Sequence, residues 1–317
     1  MTTPPAVEKR TGDLYSDLWG PYGQQLFEQS VALFEKRLNL AGVPTTFFAG
    51  KQCLDAGCGG GRNSIAMARL KAAKVIGVDV GEGGLDDARR RAGSLTNVEF
   101  RHASVLELPF ADAQFDVVWC AGVIMHTANP ERALDELTRV LKPGGALYLL
   151  VYASEGLRWP LIQLLRPLAQ QLGQPALDRA VAAAELPANK RRTFLDDLFV
   201  PCIDFFRWDR LKAGLERRGL TNIDRWGHAP RLDQEQSLEA YRTDLASLLE
   251  LFRAGERTES GVDHALFVQG RTMVEATLRT IEWFEQQVHE KALSNEEAMA
   301  RVIGQGHHRV WCTRGGR

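Results

Sequence analysis

A short run of glycines behind an acidic residue is the part of this sequence best suited to chemistry on a bound ligand. It reads Asp55-x-Gly57-x-Gly59-x-Gly61 and begins within the predicted strand Gln52–Ala56. Glycine lets a ligand lie against the main chain, where a Cβ would clash, and it permits the positive φ of tight turns. A strand that enters such a turn before a helix marks the place where open α/β sheets bind ligands.

Two common nucleotide-binding motifs do not fit this loop. A dinucleotide fingerprint needs a third glycine at position 62 or 64, and Arg62 and Ser64 occupy those positions. The Gly-Lys-Ser/Thr end of a phosphate loop is also absent. What remains is an acidic residue two places before the first of three alternating glycines.

The segments that must position the loop alternate between strand and helix from residue 51 to residue 152. The predicted strands are Gln52–Ala56, Lys74–Asp79, Val98–Arg101, Phe115–Cys120 and Ala146–Val151. The helical stretches between them lie near Ser64–Lys71, Leu85–Arg91 and Glu131–Leu141. This alternation predicts a parallel sheet with helices on both faces.

Four features, in order along the chain, resemble the class I S-adenosylmethionine (SAM)-dependent methyltransferases. The glycine loop resembles the family's motif I, and Val75–Asp79 resembles its strand that ends in an acidic residue. Two later stretches also resemble the family. Leu106–Phe110 together with Phe115–Cys120 is similar to its Leu-Pro-Phe and Phe-Asp-Val-Val stretch, and Leu137–Gly145 is similar to the turn before its fifth strand. The resemblance covers residues 50–152 and is best to the quinone-biosynthesis-like branch, which acts on small molecules.

The resemblance implies SAM as the methyl donor and S-adenosylhomocysteine as the product. The five cysteines include no CxxC pair and no histidines follow them at zinc spacing, so no metal site is expected. The Asp79 carboxylate would accept hydrogen bonds from both ribose hydroxyls, although a simple helix N-cap is an alternative role for it. The implied cofactor-binding residues are Asp55, Gly57, Cys58, Gly59, Gly61, Asn63, Asp79, Val80, Ser104, Val105 and Cys120.

One position departs from the family. Where the family often has Gly-Asp-Ala, with the Asp bonding the adenine amino group, this chain has Ala103-Ser104-Val105. The Ser104 hydroxyl can still form a hydrogen bond, and the Val105 amide N–H can reach a ring nitrogen. Adenine recognition is therefore expected to be weaker or to depend more on the main chain.

The predicted fold class is α/β, a doubly wound, mostly parallel seven-stranded sheet of the Rossmann-like methyltransferase type, with helical insertions forming a cap. Residues 1–13 are polar and contain Pro4 and Pro5, so we expect a loose tail there. The predicted regions are an N-terminal tail and helices (1–50), the SAM-binding core (51–152), a helical insertion (153–205), a core helix and strand (206–228), a helical cap insertion (229–305) and a terminal core strand (306–317).

The candidate chemistry lies just after the fourth strand. His126 matches the second histidine of a common Leu-His-His pattern in the family and is a candidate general base; orienting its loop through a backbone hydrogen bond is the alternative. Met125 replaces the first histidine, so a paired-histidine mechanism is not supported. Cys120 is more typical of a small buried strand end than of a nucleophile.

Several aromatic residues are candidates for closing the site. Upstream of the glycine loop they are candidate substrate-binding residues that could also face the sulfonium, or ordinary helix anchors: Tyr15, Trp19 and Tyr22. Others could line a substrate pocket under the cap or simply pack in the core: Trp159, Phe205, Phe206 and Trp208.

Composition limits the other classes of function. The 317 residues carry 39 Lys plus Arg against 40 Asp plus Glu, a net charge of −1, without the broad basic field of a phosphate-binding protein. The basic clusters at 89–91, 190–192 and 217–218 are interleaved with acids and predict solvated helix faces. No apolar stretch reaches the length of a membrane span. The five cysteines are scattered and no export signal is evident, so we expect reduced thiols and a cytoplasmic location.

The leading hypothesis is a cytoplasmic SAM-dependent methyltransferase that acts on O, N, C or S of a small molecule or short peptide, in biosynthesis or secondary metabolism. A nucleic-acid partner is not expected. The alternatives are an RNA-modifying methyltransferase and a SAM-binding protein without transferase activity, because binding and turnover separate at residues that the motif does not specify. The sequence identifies neither the methyl acceptor nor the oligomeric state.

Overall fold

The computed structural model describes residues 4–19, 23–186, 188–226, 237–304 and 306–316. They form two compact units. Unit 1 consists of the described residues within 1–152, 201–232 and 307–317, and unit 2 of those within 153–200 and 233–306.

The centre of unit 1 is a seven-stranded sheet. Its strands are β1 (Gln52–Ala56), β2 (Lys74–Asp79), β3 (Val98–His102), β4 (Phe115–Ala121), β5 (Leu141–Tyr152), β6 (Leu220–Arg225) and β7 (His307–Arg314). Their order is β3-β2-β1-β4-β5-β7-β6, and β7 runs antiparallel to both of its neighbours. The predicted fold class is confirmed, and so is the placement of residues near 307–313 as the seventh strand.

The helices follow the expected alternation in the core. They are α1 (Pro4–Trp19), α2 (Gln24–Leu40), α3 (Arg62–Arg69), α4 (Glu82–Ala92), α5 (Pro130–Val140), α6 (Arg158–Ala183), α7 (Ala188–Phe199), α8 (Trp208–Arg217), α9 (Leu238–Thr258), α10 (Gly261–His289) and α11 (Asn295–Val302). Short 3-10 helices lie at Thr45–Phe48 and Ile124–His126.

Apolar side chains cover both faces of the sheet. One face packs against α2, α3 and α4, with Phe34, Ile65 and Leu85 in its core. The other face packs against α5 and α8, with Leu137 and Leu215 in its core. Strands β1 and β4 are buried on both sides, and β4 is accordingly almost continuously apolar, as expected for a central parallel strand.

The expectation of a loose tail over residues 1–13 is wrong from Pro4 onward, because α1 begins there. Proline in the first turn of a helix does not break it, since the amide N–H that it lacks has no intrahelical acceptor at that position. Val7 and Leu18 are buried, so this helix packs through an apolar face.

Unit 2 gathers the two helical insertions, α6 with α7 and α9 with α10 and α11. Helices α9 and α10 approach closely because each places a glycine opposite a phenylalanine of the other. A Cβ on Gly255 would lie 2.2 Å from the Phe267 ring, and one on Gly270 would lie 2.1 Å from the Phe252 ring. Helix α6 of the first insertion contacts both α9 and α10 of the second, so the two insertions pack together. Their role as a cap stays a prediction.

Candidate functional site

The glycine loop is fixed to the end of β2 by its own main chain. The amides of Gly57 and Cys58 both donate to the Val78 carbonyl, at 2.8 and 2.9 Å. The Gly61 amide donates to the Cys58 carbonyl at 2.9 Å and closes a tight turn, after which α3 begins. The loop is therefore a rigid shelf at the carboxyl edge of the parallel strands.

The three alternating glycines have positive φ but different surroundings. A Cβ on Gly57 would lie 2.2 Å from the Val123 side chain, and one on Gly61 would lie 2.7 Å from the Ala88 Cβ. A Cβ on Gly59 would meet no described atom within 4 Å. Two glycines thus allow close packing, whereas the third leaves open space beside bare main chain, as a ligand requires.

Asp79, at the end of β2, holds the open part of this loop. Its Oδ2 accepts a hydrogen bond from the Gly59 amide and its Oδ1 accepts one from the Gly81 amide, both at 2.8 Å. Burial raises the pKa of this carboxyl, and the backbone N–H groups oppose that rise. Gly81 itself is the N-cap of α4, so the alternative role of Asp79 as a simple N-cap does not describe it.

Asp55 lies deeper, in β1, and is almost fully buried. The Ser64 hydroxyl donates to its Oδ2 at 2.6 Å, whereas its buried Oδ1 has no hydrogen-bond partner among the described residues. Burial raises the pKa of Asp55 to about 7. A buried carboxylate oxygen without a partner is costly, so this atom is suited to a donor from a ligand.

These features fit the group that the sequence implies. SAM carries an ammonium, two ribose hydroxyls and a cationic sulfur, and it would meet an open glycine, the orphaned Asp55 oxygen and the Asp79 carboxylate. The remaining loop residues predicted to bind it are placed nearby: Cys58 is buried within the turn, Asn63 lies in the first turn of α3, and Val80 directly follows β2.

The end of β3 adds a contact that the sequence did not predict. The Ser104 hydroxyl donates to Oε1 of Glu8, which lies in α1, and accepts from the Leu106 amide at 3.0 Å. Val105, the neighbouring predicted residue, is buried. No motif could reveal the pairing of Glu8 with Ser104, because the two residues are 96 positions apart.

His126 lies beyond β4, in a 3-10 helix at the same edge of the sheet, and is 4% exposed. Its Nδ1 is 3.0 Å from the Cys202 carbonyl oxygen. A carbonyl only accepts, so Nδ1 carries a proton, and in the neutral form of the ring the lone pair is on Nε2. The imidazole also interacts electrostatically with Asp204, which lowers the pKa of that carboxyl against the rise caused by burial.

Aromatic rings surround His126. The Tyr15 ring centroid lies 5.5 Å from the imidazole centroid, and that of Tyr152 lies 5.3 Å away in an edge-on arrangement. Tyr152 in turn faces His307 at 5.2 Å and Phe205 at 6.4 Å. We call these five residues the ring cluster; Tyr152 and His307 were missed because only the sheet order brings β5 and β7 together.

The other predicted aromatics divide between the core and the undescribed part of the chain. Trp159 is buried in unit 2, where its indole N–H donates to the Gly306 carbonyl at 2.9 Å. Phe206 and Trp208 pack against the core of unit 1. Trp19 ends α1, but its side chain, like the whole of Tyr22, lies outside the described residues.

Cys120 is not suited to be a nucleophile. It is fully buried at the end of β4, and burial raises its pKa well above the ordinary value. None of the five cysteines forms a disulfide. Within the described ranges, no group of three or more His, Cys, Asp or Glu side chains is placed to hold a metal ion, and no helix is long and apolar enough to cross a membrane.

Comparison with known proteins agrees with this geometry. Residues 54–149 match the family model described as "Methyltransferase domain". Demethylmenaquinone methyltransferase of Clavibacter sepedonicus is 36% identical over 135 residues, which are 43% of this chain and 54% of that protein. The 27-O-demethylrifamycin SV methyltransferase of Amycolatopsis mediterranei (strain S699) is 34% identical over 152 residues, which are 46% of this chain and 54% of that protein.

Among solved structures, the crystal structure of the [4+2]-cyclase SpnF has a TM-score of 0.50 at 16% identity. The likeness covers 100% of this chain and 98% of that chain and bears on the fold alone. The fold and the loop thus define a doubly wound α/β protein with a ligand site at the carboxyl edge of its sheet. Together with the family match, they make residues 54–149 a class I SAM-dependent methyltransferase domain, similar to the enzymes of quinone biosynthesis, with SAM as its cofactor. The chain spans about half the length of these curated relatives.

Proposed function

We propose that the protein transfers the methyl group of SAM to O, N, C or S of a small molecule or short peptide in a biosynthetic reaction. The observation that carries this proposal is the edge formed by the open Gly59 backbone, the Asp79 carboxylate and the orphaned oxygen of Asp55. All three lie where parallel strands end, the usual ligand site of this fold class.

Each residue has a chemical task in this proposal. Asp79 accepts hydrogen bonds from the ribose hydroxyls, because a carboxylate holds several acceptor sites beyond the two used by Gly59 and Gly81. Asp55 pairs with the ammonium, which would lower the raised pKa of that carboxyl. The bare main chain at Gly59 lets the ligand approach, and Val105 offers its amide N–H to the adenine ring.

The ring cluster is the proposed acceptor site. Bound SAM supplies a methyl group already activated by its sulfonium, so the protein chiefly aligns the acceptor and excludes water. The aromatic faces of Tyr15 and Tyr152 are suited to a flat apolar acceptor and to the positive charge. His126 would take the proton of a hydroxyl acceptor through Nε2, and the Asp204 carboxylate would stabilise the resulting imidazolium.

The names of the relatives support a small organic acceptor. One is named for demethylmenaquinone and another for an O-demethylated rifamycin. We extend to this chain only what these names share, a small organic acceptor. The odd set of scattered cysteines still supports a cytoplasmic location in this proposal.

The charge arrangement favours such an acceptor over RNA. Arg89 pairs with Asp86, Arg91 pairs with Asp87, and Arg218 pairs with both Glu131 and Asp135. In unit 2, Lys190 and Arg191 are likewise paired with Asp244 and Asp178. Basic side chains held by acids leave less net positive charge for phosphate groups.

The first experiment titrates ligand-free protein with S-adenosylhomocysteine by calorimetry. We expect saturable binding that Asp79→Ala weakens by about tenfold to a hundredfold, the scale of hydrogen bonds to a charged group. The matched control is Asp86→Ala, which removes an acid of the neighbouring helix whose side chain is 70% exposed. Absence of binding by the wild type would reject the proposal.

Transfer itself is tested with SAM labelled in its methyl group and a panel of phenols, amines, thiols and short peptides. Labelled product together with S-adenosylhomocysteine supports the enzyme. Tight binding with no transfer to any class of acceptor supports the alternative, a SAM-binding protein without transferase activity.

A further inference from the structure

We infer that Glu8, on the N-terminal helix α1, recognises the 6-amino group of the adenine ring. This inference rests on the proposed function, since it concerns the same cofactor site. It assigns to α1 a specificity-determining carboxylate that lies outside the matched domain of residues 54–149.

The residues that follow β3 lie beside the end of β2, where the ribose is proposed to bind. Asp79 ends β2, and the parallel register pairs it with His102 at the end of β3. A ligand that places its ribose at Asp79 therefore extends its base toward the residues that follow β3. The Ala103 amide donates to the Asp79 main-chain carbonyl at 3.0 Å, which fixes this segment beside the ribose position. Ser104 comes next, and its hydroxyl contacts Glu8.

Glu8 has more free hydrogen-bond acceptor sites than Ser104. A serine hydroxyl has one proton to donate, and Ser104 gives it to Glu8 while accepting from the Leu106 amide. Ser104 keeps one acceptor lone pair but has no second proton to donate to a nitrogen of the adenine ring. The Glu8 carboxylate has two oxygens and several acceptor sites, so it can hold the serine and also accept from an amino group. An acceptor-only group selects an amino substituent and disfavours a carbonyl at the same position.

Helix α1 is held in place by close contacts with Val80 and with α4. Gly12 lies one helical turn after Glu8 and therefore on the same face. A Cβ on Gly12 would lie only 2.9 Å from the Val80 carbonyl oxygen. Ser16, one turn further, lies on α4, where a Cβ on Gly83 would be 3.0 Å from that of Ser16. This face of α1 therefore runs along the ends of β2 and β3 and holds Glu8 at the position of the base.

Selectivity between two purine rings tests the inference. The probes are S-adenosylhomocysteine and S-inosylhomocysteine; the second carries a carbonyl in place of the 6-amino group and a hydrogen on N1. We expect the wild type to bind the adenine compound about tenfold to a hundredfold more tightly. Glu8→Gln should reduce this ratio markedly, because an amide both donates and accepts, whereas the change at N1 is the same for both proteins. The matched control is Asp13→Asn, an acid of the same helix whose side chain is 64% exposed, and it should keep the wild-type ratio.

Two further variants separate recognition from the folding of α1. Gly12→Val should displace the helix from Val80 and reduce the same selectivity while Glu8 remains. Glu8→Ala combined with Ser104→Asp should recover selectivity, because it returns a carboxylate to the base from the other side. If the wild type binds both compounds equally, or if Glu8→Gln keeps the wild-type ratio, Glu8 has no such role. If the wild type binds neither compound, the proposed function itself is rejected, and the role of Glu8 with it.

Discussion

Asp55 and Asp79 are buried carboxyl groups at the ends of β1 and β2. Burial raises the pKa of both, and the charge of Asp79 adds to the rise at Asp55. Neither has a basic side chain bonded to it in the described structure. A cationic ligand would favour the ionised form of these carboxyl groups. The stability of the ligand-free protein should therefore depend on pH.

Asp55 gives a prediction about stability. Its folded pKa of about 7 exceeds the ordinary 3.8, so in the folded state it takes up a proton at higher pH than in the unfolded state. Wild type should therefore gain stability relative to Asp55→Asn as the pH falls from 7 to 4, by on the order of 4 kcal/mol at about 1.4 kcal/mol per pKa unit. Urea unfolding of ligand-free protein at pH 8 and pH 4.5 measures this.

The control for that measurement is Asp112→Asn, which removes a carboxyl that is 78% exposed. It should differ from wild type by a similar amount at both pH values. A constant difference between wild type and Asp55→Asn across the same range would show that Asp55 is ionised in both states.

His126 gives a prediction about turnover. His126→Ala should slow transfer to a hydroxyl acceptor by about 10²–10⁴-fold, the usual contribution of a positioned base, and leave the affinity for S-adenosylhomocysteine unchanged. His264→Ala is the control, since that histidine also places Nδ1 3.0 Å from a main-chain carbonyl, that of Glu256 in unit 2. Equal rates for wild type and His126→Ala would assign His126 to orienting its loop.

Single residues were predictable from sequence where a local pattern marks them. Asp79 ends an apolar run at a fixed distance from the glycines, and His126 lies shortly after the predicted fourth strand. Glu8 and Tyr152 have no such signal, because the roles proposed for them depend on contacts across the fold. Asp55 was predicted, but its buried, unpartnered oxygen becomes visible only when β1 is placed between its neighbours.

At the scale of elements, the five parallel strands were predicted within a few residues, except that β5 begins at Leu141 and so includes the Lys142–Gly145 turn. Periodic apolar runs bounded by glycine and proline carry that information locally. Helix α1 was missed because polar residues and two prolines suggested a tail. Its helical state depends on packing against α4 and on the bond from Ser104, neither of which is local in sequence.

The glycine loop gives a prediction at this scale. Gly57→Ala should lower the thermal midpoint, because its Cβ would overlap Val123 and its φ of +77° strains a side chain. Gly59→Ala meets open space at φ +50°, so it should cost only about 1 kcal/mol of stability yet weaken S-adenosylhomocysteine binding.

Thermal unfolding and calorimetry on the two variants make this comparison, and each variant serves as the control for the other. Unchanged ligand affinity in Gly59→Ala would place the cofactor away from this part of the loop.

At the scale of the whole molecule, the second unit is stabilised by its own buried charges. Arg158 donates to Asp197 and to Asp244, each at 2.5 Å, and Lys190 donates to Asp244 at 2.6 Å. Burial raises the pKa of Asp197 to about 6 although Arg158 opposes the rise. This network joins α6, α7 and α9, which come from the two separate insertions.

Removing the arginine should expose how much unit 2 depends on this network. Arg158→Ala leaves Asp197 buried without its partner, which should reduce the free energy of unfolding by about 3–5 kcal/mol at pH 8. The loss should shrink at pH 5, where Asp197 takes up a proton. Arg179→Ala, which breaks an exposed pair with Glu259, should cost less than about 1 kcal/mol. Urea titrations at both pH values decide; equal losses for the two variants would contradict the network's role.

The position of β7 determines when the sheet can be completed during synthesis of the chain. In the described sheet β6 borders only β7, and β7 also fills the place beside β5. Every residue of unit 2 after 233 is translated between these two strands. A nascent chain that has emerged only through α11 therefore lacks the strand that lies between β5 and β6, and its sheet can be completed only when His307–Arg314 has been translated.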